Sequence, residues 1–111
     1  GCSSLETAPS LPATTLASYC YAGMFLGCTS LETAPELLAE TLEDYCYQAM
    51  FSGCTNLREI TCLATNISAQ GCTNLWVVGV APSGNFIKYP YMSSWQVNQN
   101  GIPSGWTIRN A

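Results

Sequence analysis

At 111 residues the chain has the length of one domain, and 48 % apolar against 9 % charged residues describes a packed core with few ionised faces. Net charge is −4, Arg58, Lys88 and Arg109 are the only basic residues, and there is no histidine. This disfavours nucleic acid as a partner, since phosphate binding needs clustered Lys and Arg, and none is expected; it also disfavours an anionic membrane surface.

No apolar run approaches the roughly 18–20 residues of a spanning helix. The chain opens at a Gly-Cys that elsewhere follows Met-Phe, which reads as a piece of a longer protein.

From the start the sequence repeats. Tyr19–Pro35 (YCYAGMFLGCTSLETAP) returns as Tyr45–Thr61 (YCYQAMFSGCTNLREIT), and Gly1–Pro9 is a partial copy. Aligning 2–27 with 28–53 gives 17 identities at a spacing of 26 residues. A fixed period of this size predicts stacked supersecondary units, a solenoid.

Within each unit, Leu31-Glu32-Thr33-Ala34-Pro35 reads as a short strand that Pro35 ends. In the stretch 42–51, Leu42, Cys46, Met50 and Phe51 share one helical face, with Asp44 near the start and Gly53 turning the chain back. The expected fold is therefore an α/β repeat solenoid. It has a short leucine-rich-repeat parallel sheet, short helices on the convex side and an irregular β-rich C-terminal cap. Leu5, Leu31 and Leu57 are expected in one buried ladder and Leu11, Leu37 and Leu63 in another. Met24 with Met50 and Phe25 with Phe51 are expected to fill the space beneath the helices.

The third unit admits two alignments. Cys72 may continue the Cys20–Cys46 column with the period kept. Alternatively GCTNL at 71–75 repeats GCTNL at 53–57, and Cys72 opens a fourth strand over 75–80; the five matching residues favour this second alignment. The repeats then occupy 1–75 with a shortened last rung. A capping hairpin, 77–80 with 86–89 around Ala81-Pro-Ser-Gly-Asn85, and an irregular tail occupy 76–111.

The string Met-Phe-x-Gly-Cys-Thr-Ser-Leu at 24–31, with its near copy at 50–57, resembles the BspA-like leucine-rich repeats of bacterial surface proteins. The likeness covers residues 1 to about 75, and the tail resembles the closing segment of such proteins. Cys20 and Cys46 depart from it, standing where an aliphatic residue is common. The resemblance implies a secreted or surface-anchored bacterial protein used in adhesion and recognition, with no catalytic residues.

Among the residues themselves, the seven cysteines suit a buried interior as stacked thiols. Disulfides are the alternative, Cys20–Cys28 and Cys46–Cys54 or between neighbouring rungs. Zinc is disfavoured by the absence of any C-x₂-C pair and of histidine, and no cofactor is expected. A cysteine nucleophile lacks a base, and the seven carboxylates lie at repeat-equivalent or helix-start positions rather than as a cleft pair, so no enzyme is expected.

Glu6, Glu32, Arg58 and Trp76 are expected in register on the exposed sheet face as ligand-contacting residues, with Glu32 and Arg58 paired across rungs. Trp95, with Trp106, Tyr89 and Tyr91, forms an aromatic group that holds the cap or stacks on sugars. Asn66-Ile67-Ser68 is a formal glycosylation sequon, read as incidental. The function that follows is binding of a host matrix or other surface protein. The alternatives are a glycan-binding module using the C-terminal aromatics, or a structural spacer.

Overall fold

The computed structural model describes residues 17–19, 21–90, 92 and 95–111. The expectations for Cys2, Leu5, Glu6, Leu11, Cys20 and Tyr91 lie outside these residues. Among the described residues there are three strands and no helix: β1 (Glu59–Cys62), β2 (Asn85–Lys88) and β3 (Thr107–Asn110). The expected α/β leucine-rich-repeat solenoid with helices on its convex side is thus not the fold.

The stretch 42–51 shows why. Left-handed backbone recurs every fourth residue, at Tyr19, Gly23 and Gly27, at Tyr45, Ala49 and Gly53, and at Gly71, Leu75 and Gly79. Each such position costs a non-glycine residue about 1–2 kcal/mol and stops an α-helix. The result is three rows of linked turns, described at 19 and 21–27, at 45–53 and at 71–79.

Hydrogen bonding offsets that cost. Alternate N–H groups close turns onto the carbonyl three residues back, as Cys46 to Glu43, Gln48 to Tyr45 and Met50 to Tyr47. The others leave the row. Tyr19, Tyr21, Gly23, Phe25 and Gly27 donate to the carbonyls of Asp44, Cys46, Gln48, Met50 and Ser52 at 2.7–3.1 Å. Tyr45, Tyr47, Ala49, Phe51 and Gly53 donate likewise to Gln70, Cys72, Asn74, Trp76 and Val78. A helix would consume all these donors within itself.

Burial follows the four-residue period. Cys46, Tyr47, Met50, Phe51 and Cys54 are all buried. Phe25 stacks on Phe51 as expected, with centroids 5.9 Å apart and rings 1° from parallel. Met50 is fully buried, but Met24 is 41 % exposed.

The opposite side is a parallel sheet in the order β1-β2-β3. Glu59 pairs with Asn85 and Asn85 with Thr107. The expected strand at 31–35 contributes one bridge, Thr33 to Glu59; Leu37 then bridges Cys62 rather than Leu63. That one-residue slip turns Cys62 into the core beside Leu37 and leaves Leu63 half-buried. Leu31 and Leu57 are both buried.

The third unit keeps its period, against the favoured alignment. Tyr47 N–H reaches the Cys72 carbonyl, so Cys72 continues the Cys46 column, and Tyr45 lies over Gly71, where a Cβ would come within 2.5 Å of its ring. Residues 75–80 are accordingly turn and not strand. No hairpin forms around 81–85, because β2 pairs in parallel with β1, and the tail ends in a regular strand, β3. All four β3 residues are exposed at the sheet edge.

Candidate functional site

The row 71–79 is the last of the three, and its outward groups are met by the segment 96–101. Leu75 N–H donates to Asn100 Oδ1 at 2.7 Å and Val77 N–H to the Gln99 carbonyl at 3.4 Å. Thr73 Oγ1 donates to the Asn100 carbonyl at 2.5 Å, and Trp76 Nε1 to the Gly101 carbonyl at 2.8 Å. The segment holds its own shape through Asn100 N–H to Asn98 Oδ1, 2.8 Å, and Ile102 N–H to the Gln96 carbonyl, 2.8 Å. Gly101 lies so close to the Gln96 carbonyl that no Cβ fits there.

Between this segment, the loop 65–69 and the start of the row 71–74 lies an open cleft of about 640 Å³. Trp95 forms part of its wall. One ring face is covered by Trp76, 5.6 Å away and 4° from parallel, and Phe86 meets it edge-on at 5.1 Å. Trp76 itself is stacked on Tyr47 at 5.9 Å, so Trp95 ends a column of rings rooted in the core. The Trp95 indole nitrogen is buried and donates to no acceptor.

The cleft walls are neutral. Asn66 Oδ1 accepts from Ser68 N–H at 3.0 Å and Ser68 Oγ at 2.6 Å, which engages the sequon asparagine in a local turn. Among the described residues Cys72 is the one titratable lining group. Burial pushes its thiol up, and its Sγ lies 3.4 Å from the Ile67 carbonyl. Burial likewise raises Cys54 to about 11 and Cys62 to about 12. Near neutral pH these groups are thiols and not the reactive thiolate. Cys54 is a free thiol lying 3.0 Å from the Phe25 carbonyl, so the Cys46–Cys54 disulfide is not formed. Among the described residues no cluster of ligating side chains could hold a metal, and no helix is long and apolar enough to cross a membrane.

The residues named from the sequence are not brought together. Glu6 lies outside the described residues. Glu32 and Arg58 are exposed neighbours, as expected, but the contact between them is the Arg58 N–H to Glu32 carbonyl bond, 2.9 Å, and not an ion pair. Trp76 is fully buried and is no part of an exposed face. Trp106 is also buried, donating to the Ala81 carbonyl at 2.8 Å. Of the set, Trp95 alone borders the cleft.

The residues that sequence reasoning passed over are the amides. The run Gln96-Val97-Asn98-Gln99-Asn100-Gly101 is a visible cluster of turn-forming and hydrogen-bonding side chains. Its meaning depends on Asn66 and Asn74, which only the fold sets opposite it.

Comparison with known proteins adds nothing to this description: no family model, no curated protein and no solved structure matches the chain. The likeness to BspA-like repeats stands on the quoted motif alone.

Proposed function

We propose that the chain is a non-catalytic recognition module of a secreted or cell-surface bacterial protein, which holds its ligand in the cleft between 65–74 and 95–101. The supporting observation is the cleft itself. Its volume lies within the about 300–1,000 Å³ of small-ligand sites, and its polar groups are neutral amides and hydroxyls beside one anchored tryptophan. Such a surface can bind but offers no acid-base pair.

A second reading, contact with a matrix or surface protein across the exposed sheet side, draws on the adjacent exposed side chains of Glu32 and Arg58. The two are separated by screening the module against defined oligosaccharides, peptides and matrix-protein fragments. Each hit is then measured with Asn66→Ala and with the double variant Glu32→Ala/Arg58→Ala, circular dichroism confirming the fold. The cleft reading expects the asparagine variant to weaken binding. Binding that survives Asn66→Ala and falls with the double variant would reject the cleft in favour of the sheet side.

A further inference from the structure

Resting on that reading, we infer that the ligand of the cleft is a neutral oligosaccharide. Its hydroxyl groups bond to Asn66, Ser68, Asn98 and Asn100, and a sugar ring packs against Trp95.

The polarity of the amides is fixed by their neighbours. Asn66 Oδ1 accepts from Ser68 N–H, Asn98 Oδ1 from Asn100 N–H, and Asn100 Oδ1 from Leu75 N–H. A backbone N–H can only donate, so each side chain has its oxygen toward the protein and its NH₂ group as the remaining end. Asn98 spends part of that end on a long 3.4 Å contact to Gln96 Oε1. The Asn66 and Asn100 NH₂ groups have no acceptor among the described residues. The cleft therefore offers directed donors. Beside them is an acceptor: Ser68 Oγ–H donates to Asn66 Oδ1 at 2.6 Å, which leaves the oxygen's lone pairs to accept. A donor next to an acceptor on one short loop matches a hydroxyl group, which both accepts and donates.

Charge and shape narrow the class. Among the described residues no lining side chain carries a charge near neutral pH, the chain is at −4, and Asp44 binds the Gln70 N–H next to the cleft at 2.9 Å. An acidic ligand would meet no cation, and a basic one no lining carboxylate. An apolar ligand would strip water from unpaired amides, at a cost with no return. A sugar ring combines hydroxyl edges with an apolar C–H face, and Trp95, held on Trp76 and against Phe86, supplies a fixed flat surface at little ordering cost.

The experiment is calorimetric titration of the full chain with cellotriose, chitotriose, mannotriose and a galactose trisaccharide, and with a set of neutral hydrophilic peptides. The wild-type chain is compared with Asn66→Ala, Trp95→Phe and Trp95→Ala, all checked for an unchanged melting transition. Saturable binding of at least one trisaccharide is expected. Asn66→Ala should weaken it about five- to tenfold, the loss of one hydrogen bond. Trp95→Ala should weaken it more than Trp95→Phe, which keeps a ring. If Trp95→Ala melts early, Asn66→Ala carries the test.

Peptide binding that Asn66→Ala weakens, with all sugars silent, would overturn the sugar assignment and leave the cleft as the recognition site. Sugar binding indifferent to Asn66→Ala and to both Trp95 variants would overturn the cleft as well. No heat with any sugar, on a folded chain, also counts against the inference.

Discussion

Two tryptophans stacked on each other differ in one atom's fate, and that difference has a measurable consequence. Trp76 Nε1 donates to the buried Gly101 carbonyl at 2.8 Å, whereas Trp95 Nε1 is buried without an acceptor. Replacing either by Phe deletes the N–H and two ring carbons, and the carbons are worth about 1.6 kcal/mol if fully buried. For Trp76 the change also orphans the Gly101 carbonyl, adding about 1–3 kcal/mol. Trp76→Phe should therefore cost about 3–4 kcal/mol. For Trp95 the sign of the polar part reverses, because removing an unsatisfied buried N–H returns about 1–3 kcal/mol. Trp95 is only half-buried, so its packing loss is about 0.8 kcal/mol, and Trp95→Phe should leave stability unchanged or raise it by up to about 2 kcal/mol. The gap of at least about 3 kcal/mol corresponds to roughly 12 °C or more in Tm for a chain of this size. Urea titration at constant m-value measures it directly. Equal destabilisation by the two variants would refute the reasoning, since it would mean that the Trp95 N–H is satisfied in solution.

Three further outcomes follow from the turn rows and the buried thiols. Gly23→Ala should cost about 1–2 kcal/mol from its left-handed backbone alone, because a Cβ there meets open space; Gly71→Ala should cost more, since its Cβ also strikes Tyr45, and thermal melts rank the two. Ala49→Gly should raise stability by up to about 1 kcal/mol, because it removes left-handed strain at the cost of some chain entropy; a lower Tm would argue against the four-residue turn geometry. The thiols of Cys54 and Cys62 are raised from 9.0 to about 11 and about 12, and Cys72 is raised too. The folded state thus holds protons that the unfolded chain releases, so their stabilisation is full below about pH 9 and declines as pH rises from 9 toward 12. Tm should be flat in this respect between pH 6 and 8, and Cys62→Ala should shallow the fall above 9.

Much of the stacking was legible in the sequence because it depends on residue identity at a fixed spacing. Phe25 over Phe51, Tyr19 over Tyr45 and the burial of Leu31 and Leu57 are all readable from the 26-residue repeat. The local conformation was misread because four and 3.6 are close periods. Over ten residues, Leu42, Cys46 and Met50 fit either one. The distinguishing mark was glycine. Gly23 and Gly27 stand four apart, Gly71 and Gly79 eight apart, and Gly53 falls in the same series, which is what recurring left-handed backbone requires and what a helix penalises. Tyr45, Ala49 and Leu75 hide the pattern by taking the same conformation without glycine. The GCTNL match misled for a related reason: Gly71 is a glycine because Tyr45 covers it, not because it repeats Gly53. The cleft was not legible at all, since the residues 66 and 98–100 that shape it meet only through the end of the last row.

The site exists because a stack of turn rows must stop. Each row passes its outward N–H groups to the next, and the row 71–79 has the segment 96–101 in place of a further row. An asparagine is suited to such an end because its two halves can serve different needs: the oxygen of Asn100 completes the Leu75 backbone, and its NH₂ has no acceptor among the described residues. Substitution separates these roles. Asn100→Asp keeps an acceptor for Leu75 N–H and removes the donor, so stability should stay within about 0.5 kcal/mol of wild type, as for a surface change. Asn100→Ala removes both and should cost about 1 kcal/mol. Oligosaccharide binding should weaken about five- to tenfold in Asn100→Ala; in Asn100→Asp the loss should be smaller, because a carboxylate oxygen can accept from a sugar hydroxyl. Full binding by a folded Asn100→Ala would show that the amide serves the backbone alone, and the recognition role would then rest on Asn66, Asn98 and Trp95.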